Sequence, residues 1–398
     1  MAYYQSRPVA GRHFLQIPGP SNVPDRVLRA IDNASMDHRS GDFGKLGAEI
    51  LANLPKIFQT KGPVLVFPSS GTGAWEAALT NTLSPGDTVL MSRTGQFAVL
   101  WEDMARRLGV NAMMLDTDWR HGADPKAIAV ELEKDRAHKI KAVCVVHCET
   151  STGCVSRVQD IRAAMNAAKH PALLIVDAIS SLAAMECRHD DWGVDVTISG
   201  SQKAMMLPPG LSFNAVSEKA LAASKTAKLP RSYFDWGAML EINRTGYFPY
   251  TPAISLLYGL NESLKMLLDE GLENVLARHD RFGEACRRAA AVWGLENNCL
   301  DAREYSASVT TLRTPEGHSA NNLRAVIADK FNMSLGTGLG VLSDKAFRIG
   351  HLGDLNDLTL VGTLGGVEMG MALAGVPHRA GGVQAALDFL AGNARAAA

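Results

Sequence analysis

From about residue 64 to residue 216, short continuous apolar runs alternate with stretches whose apolar residues recur at helical spacing. The runs are Val64–Phe67, Thr88–Met91, Ala142–Val146, Leu173–Val176, Val194–Ile198 and Ser212–Val216. Continuous runs of this length, rather than alternating ones, mark strands buried on both faces. The helical segments between them include Trp101–Leu108, Pro125–Lys134 and Val158–Ala168. Strand, helix, strand in that order predicts an α/β unit: a mostly parallel sheet covered by helices. A Pro- and Gly-containing stretch, Thr245–Pro252, ends this zone. Long helical patterns follow over Ile254–Asp269 and Leu272–Trp293. Beyond them come a strand-like Ser308–Arg313, a helix near Asn321–Phe331, a Gly-rich loop at Gly336–Gly340, a strand-like Lys345–Ile349 and a final helix. That order predicts a smaller α+β C-terminal domain.

Composition narrows the function classes. The 398 residues are 46% hydrophobic and 20% charged, with a formal net charge of −1. Such a chain buries a core without disulfide or metal staples. It has no charge excess that would draw it to nucleic acid or to an anionic membrane. The six cysteines, at 144, 148, 154, 187, 286 and 299, show no paired ligand spacing. A metal site is therefore not expected, and Cys144 and Cys148 read as buried thiols. No secretory pattern opens the sequence and no apolar stretch reaches spanning length, so a cytoplasmic protein is expected.

Ligands of open parallel sheets gather at the carboxyl ends of the strands. After Val64–Phe67 comes Pro68-Ser69-Ser70-Gly71-Thr72-Gly73, small and hydroxyl-bearing residues that open a helix. Exposed N–H groups there can hold a phosphate. Neither a P-loop ending nor a dinucleotide glycine pattern is present. After Leu173–Val176 comes Asp177, and after Val194–Ile198 comes Ser199-Gly200-Ser201-Gln202-Lys203. Each has an ordinary alternative: a plain strand–helix turn, an Asp capping the next turn, an exposed Lys. Together they match what pyridoxal 5'-phosphate requires: a phosphate cradle, a carboxylate for the ring nitrogen, and an amine for the imine.

The motifs also resemble a known family. Ile17-Pro18-Gly19-Pro20-Ser21-Asn22, Gly200-Ser201-Gln202-Lys203, Gly246-Tyr247-Phe248-Pro249-Tyr250-Thr251-Pro252 and Phe347-Arg348-Ile349-Gly350-His351 are similar to those of class V, fold-type I aminotransferases. The likeness is to the serine–glyoxylate and alanine–glyoxylate branch, and it runs through nearly the whole chain. It implies a large domain with a seven-stranded sheet at 21–280, a small one at 281–398, and an N-terminal segment, 1–20, near the active site. It implies Lys203 as the Schiff-base lysine and proton shuttle, and Asp177 on the pyridinium nitrogen. Ser70, Gly71, Thr72 and Gln202 are implied around the phosphate. Thr152 is placed at the phenolic oxygen, and Phe97 against the ring. Tyr247 and Thr251 are implied to reach the neighbouring subunit's cofactor, hence a homodimer or a dimer of dimers. Arg348 is placed on the substrate α-carboxylate. Asp37-His38-Arg39-Ser40 also fits the branch, with Arg39 expected in a structural ion pair and a contact with substrate left open as the alternative.

The implied reaction is transfer of the amine of a small L-amino acid, first L-serine, to glyoxylate. Glycine and hydroxypyruvate are then the products. Aspartate, alanine or pyruvate as alternative substrates remain open. Cysteine desulfuration needs a nucleophilic cysteine on a mobile loop in the second half, and residues 334–344 contain none. A scaffold that only binds a partner has no use for Lys203, Asp177 and Arg348 together.

Overall fold

The computed structural model describes residues 11–396. Its strands are β1 (Phe14–Gln16), β2 (Val64–Phe67), β3 (Thr88–Arg93), β4 (Asn111–Asp116), β5 (Ile140–Val146), β6 (Cys148–Glu149), β7 (Cys154–Val155), β8 (Leu173–Asp177), β9 (Val196–Gly200), β10 (Ser212–Val216), β11 (Glu296–Asn297), β12 (Val309–Arg313), β13 (Met333–Thr337) and β14 (Ala346–Gly350). The helices are α1 (Asp25–Ile31), α2 (Gly41–Phe58), α3 (Gly71–Thr82), α4 (Gln96–Arg107), α5 (Pro125–Lys134), α6 (Val158–Ala167), α7 (Glu218–Ser224), α8 (Trp236–Asn243), α9 (Ile254–Glu270), α10 (Leu272–Trp293), α11 (Ala320–Phe331), α12 (Asp357–Ala374) and α13 (Gly382–Ala396).

Seven strands form the main sheet in the order β2-β10-β9-β8-β5-β3-β4. Only β10 runs against its neighbours; β9, β8, β5, β3 and β4 pair in parallel. Alternate residues of the central strands enter different cores. Cys144 and Ile175 pack on one face, with Trp75 and Trp101, while Val143 and Leu174 pack on the other, with Ile128 and Ile161. This is why those strands read as unbroken apolar runs.

The short strands β1, β6, β7 and β11 are additions to the sequence reading, and two longer ones, β4 and β13, differ from it as well. The edge strand β4 buries only Ala112, its other residues being exposed or half-buried, so it lacks the continuous buried run that marks its neighbours. The Gly-rich stretch after residue 332 begins with a strand, β13, that pairs with β1 and β14. In addition, β9 starts two residues later than expected and ends at Gly200.

A second sheet has the order β1-β13-β14-β12-β11. Its core includes Phe347 and Ile349, both fully buried. The amino-terminal strand thus returns to a sheet otherwise built from residues beyond 296. That route carries Pro18, Gly19 and Pro20 past the end of the main sheet.

Two buried histidines are bonded in this region, and the first, His279, ties α10 to it. His279 Nδ1 lies 2.6 Å from the Val275 carbonyl, while its Nε2 accepts the Gly353 N–H at 3.0 Å. His351 Nδ1 lies 2.9 Å from the Ala307 carbonyl, and its Nε2 lies 2.9 Å from Thr310 Oγ1. Donor on one nitrogen and acceptor on the other describes neutral imidazole. Burial pushes His279 down to about 4 and His351 down to about 3. Folded values below the unfolded one mean stability that is whole above about pH 6.5 and is lost as pH falls. We therefore expect the melting temperature to drop from pH 7 to pH 5, before most carboxylates titrate. A melting temperature flat over that interval would contradict the neutral assignment.

Candidate active site

Lys203 lies three residues beyond β9, in a turn closed by a Met206 N–H to Lys203 carbonyl bond of 2.9 Å. Its side chain is 8% exposed, and Nζ donates to the carbonyl of Pro18. The amino-terminal segment is fastened to the same turn. Ser21 Oγ donates to the Lys203 carbonyl at 2.7 Å, and Ser21 N–H to the Gln202 carbonyl at 2.9 Å. Gly19, at φ 112°, has to be glycine twice over: its backbone is left-handed, and a Cβ there would overlap Lys203. Burial, then the nearby Arg348 charge, push the Lys203 amine down to about 8. An amine in that range is available as neutral base near physiological pH.

Asp177 closes β8 and is 4% exposed. Its Oδ1 accepts the Ile179 N–H at 2.8 Å, and its Oδ2 accepts Trp75 Nε1–H at 2.9 Å. Trp75 is itself stacked on Trp101 of α4, with ring centroids 5.7 Å apart. Burial pushes Asp177 up to about 7 against the pull of these two donors. The carboxylate makes no ion pair among the described residues. It is a buried acid awaiting a counter-charge, as a protonated ring nitrogen would supply.

Between Lys203 and Asp177 is a cavity of ≈ 210 Å³. Ser70, Gly71, Thr72, Phe97 and Gln202 line it, as does Trp75. Ser70 is the N-cap of α3, yet its side chain caps no N–H of that helix. The first N–H groups of a helix have no intrahelical acceptor, and here they open on the cavity. Gln202 Oε1 is buried without a partner. The Ser70 hydroxyl and a helix N-terminus on one wall suit a phosphate group, to which Gln202 could add a donor only through its Nε2 amide.

Arg348, in β14, points away from Phe347 and Ile349, as the pleat requires. Its Nε donates to the Thr337 carbonyl and its Nη1 to the Thr150 carbonyl, both at 2.8 Å. No protein group among the described residues takes a bond from Nη2. The guanidinium is therefore aimed from the second sheet at the loop that walls the cavity. Gly336 makes this possible, since a Cβ there would press on Arg348 Cβ at 2.9 Å.

Two expected roles, those of Thr152 and Arg39, are not met, and a third, that of Tyr247 and Thr251, concerns a neighbouring subunit. Thr152 does not line the cavity; its hydroxyl accepts the Cys154 N–H and donates to Glu149 carbonyl, closing its own tight turn. Thr150 is the threonine on the wall, where its hydroxyl meets that of Ser180. Tyr247 donates its hydroxyl proton to the Ser40 carbonyl at 3.0 Å, and Thr251 is exposed; neither reaches this chain's own cavity. Arg39 forms no ion pair among the described residues; only its backbone N–H is bonded, to Asp37 Oδ1. Trp75, Glu149 and Thr150 are site residues that sequence reasoning passed over.

Residues 13–342 match the family model described as Aminotransferase class-V. The chain is 47% identical to the serine–glyoxylate aminotransferase of Methylorubrum extorquens, covering 96% of this chain and 97% of that one. It is 44% identical to the L-aspartate–glyoxylate aminotransferase of Paracoccus denitrificans, over 94% of each. The crystal structure of ureidoglycine–glyoxylate aminotransferase from Bacillus subtilis superposes with a TM-score of 0.89, at 28% identity, covering 96% of this chain and 99% of that one. With the fold and the cavity in view, the chain belongs to the class V aminotransferases of fold-type I, enzymes that depend on pyridoxal phosphate.

Proposed function

We propose that the protein transfers the amino group of L-serine to glyoxylate, giving hydroxypyruvate and glycine. The observation that carries this reading is the convergence of Lys203, Asp177 and the α3 N-terminus on one cavity, in a chain 47% identical to a named serine–glyoxylate enzyme. Pyridoxal phosphate, when bound, supplies an aldehyde that condenses with amines and a ring that takes up carbanion electrons. Lys203 would hold it through Nζ. Asp177 would face the ring nitrogen, and Phe97 a ring face. Ser70, Gly71, Thr72 and Gln202 would hold the phosphate, and Thr150 takes the place expected of Thr152.

The remaining work falls to this chain's own groups. Lys203 Nζ removes the proton from the substrate α-carbon and returns it in the second half of the exchange. Its lowered proton affinity and its burial support that role. Arg348 holds the α-carboxylate and so orients the α C–H bond. The cavity wall is mostly apolar, and Lys203 is the one cation that lines it among the described residues.

The L-aspartate–glyoxylate relative gives aspartate as the second reading. Steady-state rates over serine, alanine and aspartate, with glyoxylate as acceptor, decide the matter. Serine is expected to show the largest kcat/KM; a larger value for aspartate would sink the serine assignment.

The same reading includes a homodimer, or a dimer of dimers. Tyr247 and Thr251 stand outside their own chain's cavity, in a segment suited to reach a neighbour's phosphate. Light scattering is expected to give at least twice the chain mass; a fully active monomer would contradict this. We also read the chain as two domains divided near residues 280 and 281. In support, Val275 of α10 packs in the core of the main sheet, whereas Phe282 onward packs in that of the second. The segment 1–20 is read as part of the active site. Pro18, Gly19 and Pro20 meet Lys203 or its cavity, and residues 1–10 lie outside the described residues. No helix among the described residues is long and apolar enough to cross a membrane. All six cysteines are free and buried, which fits a reducing cytoplasm.

A further inference from the structure

We propose that Glu149 is a positioning residue of the active site: its buried carboxyl group anchors the helix that carries Phe97. The proposal rests on the reading of Lys203 and Phe97 given above.

The start of α4 needs such an anchor. Its N-cap is Gly95, which has no side chain to satisfy the first N–H groups. They are satisfied from another element. Glu149 Oε1 accepts the Phe97 N–H at 3.4 Å, Oε2 accepts the Ala98 N–H at 3.1 Å, and Ser151 Oγ accepts the Gln96 N–H at 2.9 Å. Ser151 in turn donates its hydroxyl to Glu149 Oε1 at 2.6 Å and its N–H to the same oxygen at 3.1 Å. The approach is so close that a Cβ on Gly95 would overlap both Glu149 and Ser151. An acid at a helix N-terminus also meets the positive end of the dipole. The anchored turn carries Phe97 on the cavity wall, and one turn further Trp101 stacks on the Trp75 that holds Asp177.

Glu149 is 0% exposed and makes no direct ion pair among the described residues. Burial raises its proton affinity, and the donors from Ser151, Ala98 and Phe97 oppose that rise without cancelling it. Its tie to the site is therefore the set of hydrogen bonds to the first turn of α4.

Two substitutions test this in the holoenzyme. Glu149→Asp shortens the reach to α4 and is expected to change the visible circular dichroism of the cofactor and to raise KM for serine. Glu149→Gln keeps the size but leaves one acceptor oxygen for the two N–H groups, and is expected to move both readouts the same way by a smaller amount. A cap that only stabilised the fold would lower the melting temperature and leave both readouts at their wild-type values. The proposal fails if Glu149→Asp has wild-type circular dichroism and wild-type saturation by serine. Should that variant not fold, it fails if Glu149→Gln has both. Lys203→Ala serves as the separate control: wild-type visible absorbance in that variant without added amine would overturn the Lys203 reading itself.

Discussion

Lys203→Ala is expected to lower transamination by roughly 10²–10⁴-fold or more, the range general acid–base catalysis commonly supplies. The substitution removes the only amine on the cavity wall among the described residues. It therefore removes both the group that holds the cofactor and the group that moves the α-proton. The fold is expected to survive, because the turn around residue 203 is held by backbone groups. The Lys203 carbonyl takes bonds from Ser21 Oγ and from the Met206 N–H, and neither bond needs the side chain. Loss of the buried amine also relieves a desolvation cost. A melting temperature near wild type, with turnover nearly abolished, is the expected pair of results. Near-normal turnover without added amine would mean that another lysine does the work.

Arg348→Ala is expected to reduce kcat/KM by about 10²-fold or more for serine and for glyoxylate alike. Truncating one partner of a buried, hydrogen-bonded charge pair costs roughly 2–5 kcal/mol, and each 1.4 kcal/mol is a factor of about ten. Both substrates carry the carboxylate that the guanidinium is placed to grip, so neither half of the exchange should be spared. Arg348→Lys should fall between, since an ammonium keeps the charge and loses the two-pronged geometry. The arginine also has a structural share: it bridges the Thr337 and Thr150 carbonyls, and so joins the second sheet to the cavity loop. The alanine variant should therefore melt lower as well, and the substrate effect is to be read at a temperature where it is fully folded. Wild-type saturation in both halves would show that the carboxylate is held elsewhere.

Much of this site was legible in the sequence because its main parts are local. A phosphate cradle, an acid and a lysine each follow a buried strand directly, and strand ends are where an open α/β sheet collects its ligands. Glu149 and Trp75 were not legible in that way. Trp75 meets Asp177 across 102 positions of sequence. Glu149 caps a helix that starts more than fifty residues earlier. Nothing in periodicity or spacing announces such pairs. Thr150 and Thr152 illustrate a finer limit. Both are buried polar residues of one short motif, and only the closing of the turn decides which hydroxyl faces the cavity. The strand β13 was hidden by glycine, a residue that weakens strands and so reads as loop. Gly336 is there because Arg348 passes against it.

The account stands or falls on which lysine carries the cofactor. Treating the holoenzyme with borohydride fixes the cofactor to its lysine, and peptide mass analysis then locates it. The modification is expected on the peptide containing Ser201-Gln202-Lys203, in a yield close to one per chain, and prior exposure to excess serine should prevent it. Modification at any other lysine, with Lys203 unmodified, would contradict the account.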